Sequence, residues 1–164
     1  MEINEFDNIL KFLRRVMYSM DSLTFMEDIF GNHGKDALKS YNDGRRNLFT
    51  FYWRLDNVNK PNFEKIICRD EESTRLFKFG MKFLCALYYD SDLFSTIVCG
   101  DERSKPCYTV KGKCDHSAKR CSEISENFSA YNSTFIEFLL SMDVNLKRKA
   151  ITIFEDYLIS NPIK

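Results

Sequence analysis

Only three prolines, six glycines and two histidines occur in the chain, and each scarcity removes a class of reading. So few glycines and prolines leave too little turn chemistry for an all-β design with many tight reversals. The histidines, His33 and His116, accompany no nucleophile motif, no glycine-rich phosphate loop and no helix-borne metal signature. The sequence therefore gives no catalytic residues, and a non-enzymatic protein without a cofactor is expected. Charge of one sign is also missing, because 24 basic residues balance 24 acidic ones. No global field draws nucleic acid, which is not an expected partner, so attraction to an anionic surface must come from local clusters.

A long apolar run is absent too. The most apolar region, FKFGMKFLCALYYDSDLFSTIVCG, is interrupted by Lys78, Lys82, Asp90 and Asp92. Its charge-free run from Phe83 to Tyr89 is far short of the ~20 residues that cross a bilayer. The opening MEINEFDNIL carries acids where a secretory leader is basic, so an intracellular chain is expected.

What the chain has is 44% hydrophobic and 15% aromatic residues over 164 positions. That length suits one domain able to bury about two-thirds of the surface of its unfolded form. The expected fold is all-α: a single helical bundle, residues 1–164, of five to seven helices with a cysteine-rich polar insertion at 100–121. Phe6, Ile9, Leu10, Leu13, Val16, Met17 and Met20 recur at three- and four-residue steps and predict a first helix with one apolar stripe. The piece SLTFMEDIF ends at GNHG, whose glycines and asparagine are stop signals. A second helix is expected from about Lys35 to Asn59, with Pro61 after it and Gly44 marking a kink or break. The segment around Leu76–Tyr89 is apolar nearly all round and predicts the central helix. Ile124, Phe128, Tyr131, Phe135, Leu139 and Met142 resume helical spacing. Asp143 then caps a last helix with Leu146, Ala150, Ile153, Phe154, Tyr157 and Leu158 inward, stopped by Asn161–Pro162.

Six cysteines stand at 68, 85, 99, 107, 114 and 121, the last four separated by seven, six and six residues. No pair has the short spacing of a structural zinc site, so no metal is expected and free thiols are the default. The sequons at Asn127 and Asn132 have meaning only in a secretory lumen. The acidic groups at 70–72 and 155–156 read as helix-start charges and a solvated face.

GRRNLFTFYWRLDNVNK, Gly44 to Lys60, is the most unusual stretch. On one helix Arg46, Thr50, Arg54 and Asn57 share a narrow polar face, and Leu48, Phe49, Phe51, Tyr52, Trp53 and Leu55 cover the rest. Two readings stay open: a core helix edged by arginines, or a helix lying in a membrane interface. Under the second, Arg45, Arg46, Leu48, Phe49, Tyr52, Trp53 and Arg54 are the membrane-binding residues.

The stretches ILKFLRRVMYSMDSL, LKSYNDGRRNLFTFYWRL and MKFLCALYYDSDLF together resemble the peroxin-11 family of peroxisomal membrane-elongation proteins over about residues 9–98. That resemblance implies that Gly44, Arg45, Arg46, Leu48, Arg54 and Leu55 lie in a membrane-remodelling helix, with Leu87, Tyr88 and Asp92 in the next. It also implies a peripheral protein that shapes or elongates an organelle membrane, with an anionic membrane surface as partner. A second resemblance, carried by FLCALYY and KRKAITIFEDYLI, is to the poxvirus proteins with a Bcl-type helical fold. This one implies a cytoplasmic interaction protein that binds helical partners, or itself, and inhibits host signalling or cell-death proteins.

Overall fold

The computed structural model describes residues 1–99 and 132–164, and every described element is helical. Helix α1, Ile3–Ser19, forms where the predicted stripe lies, and all seven stripe residues are buried. Ser22 opens α2, Leu23–Phe30, by accepting a bond from the Phe25 N–H, and Gly31 closes it at a φ of 61°. A short 3-10 turn, Gly31–His33, leads into α3, Gly34–Asp43.

The expected second helix does not continue to Asn59. It breaks at Gly44, and the two residues that take left-handed angles are not the glycine but Arg45 and Arg46, at φ of 62° and 56°. Left-handed angles crowd a Cβ against the following carbonyl, so the fold holds this turn from outside. The Arg46 N–H reaches the Tyr41 carbonyl at 2.9 Å, and Arg46 Nε lies 3.3 Å from Asp21 and 3.1 Å from Asn42. Asn47 then caps a six-residue helix α4, Leu48–Trp53.

A second correction concerns Pro61, expected to lie in a loop. It sits in the first turn of α5, Asn59–Ile67, where its missing N–H removes no helical bond. These breaks give the described residues more helices than the five to seven expected, without changing the all-α class.

Asp70 caps α6, Glu71–Tyr89, by accepting from the Ser73 N–H at 2.7 Å, which is the helix-start role expected of the acidic run. Leu76, Phe77, Met81, Phe83, Leu84 and Leu87 are core, but Lys78 is exposed, as are Tyr88 and Tyr89 at the C-terminal end. The helix is thus central on one side and open on another. Helix α7, Ser91–Cys99, follows, and the expected cysteine-rich insertion at 100–121 lies outside the described residues, as does the helical spacing from 124 to 131. Helix α8 is Ser133–Leu140 and α9 is Val144–Ser160, the latter capped by Asp143 as expected.

The helices share one cluster of buried apolar side chains. Phe83 on α6 meets Phe6 of α1 edge-on at 5.1 Å and Phe154 of α9 at 5.2 Å. Gly80 lets α1 and α6 approach: a Cβ there would lie 2.7 Å from Leu13 Cδ2. Lys147 is buried, and its ammonium donates to Asp7 Oδ1 at 2.9 Å and to the Leu140 carbonyl at 3.0 Å. A buried lysine paired in this way ties α1 to α8 and α9.

Candidate functional site

Helix α4 is too short to be stable by itself, so its position is set by what its side chains touch. Tyr52 turns inward between Phe63 of α5 and Phe77 of α6, with ring centroids 5.7 Å and 5.4 Å away. Its hydroxyl donates to Glu64 of α5. Burial, and then that bond to a carboxylate, hold the Tyr52 phenol well above its ordinary pKa, so it stays a neutral donor. Phe51 packs edge-on against Tyr41 at 5.5 Å and Phe30 at 6.0 Å. Phe49 stacks on Tyr88 at 5.3 Å.

Trp53 is the exception. It is 51% exposed, whereas Tyr52 is 7% exposed. The Lys60 ammonium sits 4.7 Å from the Trp53 ring and 5.0 Å from the Tyr52 ring, a cation above two aromatic faces. Trp53 stands at the lip of a cleft of about 340 Å³ between α4, α5 and α6. Tyr52, Phe77 and Met81 give the cleft its apolar lining, with Cys68 and Cys85 beside them. Lys78, Lys82 and Lys164 line it as well, and Ile163 of the C-terminal segment reaches it. Beyond the lip, Tyr88 and Tyr89 are 60% and 69% exposed and meet edge-on at 5.1 Å. Through Phe49, which lies 6.2 Å from Trp53, they extend the aromatic surface away from the cleft.

The sequence-predicted membrane residues are therefore not on one face. Leu48, Phe49 and Tyr52 are buried in the core. Arg46 is bound to Asp21 and Asn42, while Arg45 and Arg54 line a different hollow of about 450 Å³ together with Tyr41, Asp43 and Asn47. Of the seven, only Tyr52 and Trp53 line the cleft, Tyr52 from its buried wall and Trp53 from its exposed lip. Because α3 ends at Asp43 and α4 at Trp53, the continuous helix 45–59 that put the arginines on a common strip is replaced by a turn, a short helix and a second turn.

No family model, curated protein or solved structure matches the chain. The chemistry of the cleft must be read from its own side chains. Burial pushes both thiols up in pKa. A bond to Thr74 opposes this at Cys68, and Lys82 and a bond to Trp53 oppose it at Cys85. The raised pKa lowers the thiolate fraction of both side chains, and the cleft presents apolar and cationic contacts beside them. His33 is exposed on the 3-10 turn and lines neither hollow.

Lys60, Cys68, Phe77, Lys78, Met81, Lys82 and Cys85 were missed as site residues. One signal was present: Thr74, Lys78, Met81, Lys82 and Cys85 fall at helical steps on the otherwise apolar α6 and form its cleft-facing stripe. The meeting of that stripe with Trp53 is a tertiary fact that no local window contains.

Proposed function

We propose that this protein is a non-catalytic helical module that works by binding another protein through the Trp53 cleft. The observation that carries the reading is the half-exposed Trp53 at the lip of an apolar cleft, beside two exposed tyrosines. Exposed tryptophan and tyrosine around a desolvated pocket are the residues that dominate protein–protein contact energies. The aromatic side chains a membrane helix would need, Phe49 and Tyr52, are committed to the core, which weighs against insertion of this stretch into lipid. Among the described residues no helix is long and apolar enough to cross a membrane, which leaves peripheral attachment open to test.

A photo-activatable phenylalanine analogue at position 53, with a second at the distant exposed Val144 as control, separates the readings. Cross-links from position 53 to one or a few identifiable proteins, lost when Met81→Lys is added in a chain that still folds, are the expected result. Adducts only to lipid, together with flotation of the purified chain on anionic vesicles, would replace the protein-binding reading with a membrane one.

A further inference from the structure

Resting on that reading, we infer that the occupant of the cleft is a protein segment whose large apolar side chains are flanked by carboxylates. Three observations lead there. The first is charge: among the described residues lining the cleft, Lys78, Lys82 and Lys164 stand against Glu64 as the one acid, with Lys60 over the Trp53 ring at its edge and Asp70, Glu71 and Arg75 lining the adjoining hollow. Among the lining side chains, three positive charges less one negative leave a local excess of two on a chain whose overall formal charge is zero. Glu64 is moreover turned to the Tyr52 hydroxyl, so its carboxylate is already engaged. A basic rim on an otherwise neutral molecule selects acidic partners and repels basic ones.

The second observation is the lining. Tyr52, Phe77 and Met81 are buried and apolar, and Met81 with the two neutral thiols makes the wall soft and polarisable, a surface that suits aromatic or large aliphatic anchors. A volume of about 340 Å³ lies at the small end of ligand pockets, which run roughly 300–1,000 Å³, and suits the anchors of a short segment. The third is that an aliphatic side chain of the chain's own C-terminal segment already borders the site. Ile163, an aliphatic side chain on the non-helical C-terminal segment, lines both this cleft and the adjoining hollow beside Lys78 and Phe79. An incoming segment displaces Ile163 and places its acids where Lys60, Lys78 and Lys82 meet them.

Trp53 is the chain's single tryptophan, so its fluorescence reports the cleft directly. The full chain is titrated with a short tryptophan-free peptide bearing two phenylalanine anchors between aspartates, with a lysine-flanked counterpart, with a serine-for-phenylalanine counterpart and with phosphatidylserine vesicles. The expected result is a saturable change in emission with the acidic, apolar peptide alone. Affinity should fall about tenfold in Lys78→Glu, a substitution at an exposed position, and should weaken as salt rises. Equal binding of the lysine-flanked peptide, or affinity unchanged in Lys78→Glu, overturns the inference while leaving protein binding through position 53 intact. Failure of every peptide alongside persistent position-53 protein cross-links does the same. A response to vesicles alone, with no protein cross-links, overturns the proposed function as well.

Discussion

Helix α1 and helix α4 are both built from apolar residues, but α1 commits them to one face and α4 sends them in four directions. Along α1, Phe6, Ile9, Leu10, Leu13, Val16 and Met17 enter one core. In α4, Phe49 goes to Tyr88, Phe51 to Tyr41 and Phe30, Tyr52 to Phe63 and Phe77, and Trp53 outward under Lys60. A long helix with one buried face is stabilised along its whole length. A six-residue helix is held only because each aromatic side chain docks on a different neighbour. The difference separates a scaffold helix from one that leaves Trp53 half-exposed at the cleft to which binding is proposed.

The largest break in this comparison should come from α1. Leu13→Ala removes a fully buried side chain at the contact with Gly80 and is expected to cost about 2–5 kcal/mol in urea unfolding. Gly80→Ala should itself cost about 1–3 kcal/mol by overpacking against Leu13. The double variant should cost less than the two added, because the smaller side chain at 13 makes room for the new methyl group.

Next in size is the polar tie between α1 and α9. Asp7→Ala leaves the Lys147 ammonium without its carboxylate and should destabilise by about 3 kcal/mol, more than Lys147→Met, which removes the buried charge altogether. Paired unfolding curves of the two variants check the order.

The smallest effect, and one of opposite sign, belongs to the turn before α4. Arg45 is exposed and left-handed, so Arg45→Gly should relieve strain and raise stability by up to about 1 kcal/mol. A loss would show that contacts of the Arg45 side chain, or the extra freedom that glycine gives the unfolded chain, outweigh the strain.

The regions differ equally in how far the sequence reveals them. The stripe of α1, the stop at Gly31, the break at Gly44 and the Asp143 cap are local signals, each written within one or two turns of chain. The pair of left-handed arginines had no such signal, because arginine has no intrinsic preference for that angle and contacts with Tyr41, Asn42 and Asp21 impose it. Nor did the face of Trp53. On one continuous helix it shares an apolar surface with Phe49 and Tyr52, and only the stop at Trp53 and the return of the chain through α5 set it apart. Pro61 misled for a related reason: the same residue that ends one helix is well tolerated in the first turn of the next.

Two adjacent aromatic residues of like chemistry thus do opposite work, Tyr52 holding the fold and Trp53 standing half-exposed at the cleft proposed to bind a partner. Equilibrium unfolding of Tyr52→Ala and Trp53→Ala, measured side by side by circular dichroism in urea, tests it most directly. The account predicts a loss of about 3–5 kcal/mol for Tyr52→Ala, in line with a buried aromatic, and about 1 kcal/mol for Trp53→Ala. Equal losses, or a larger one at Trp53, would contradict it.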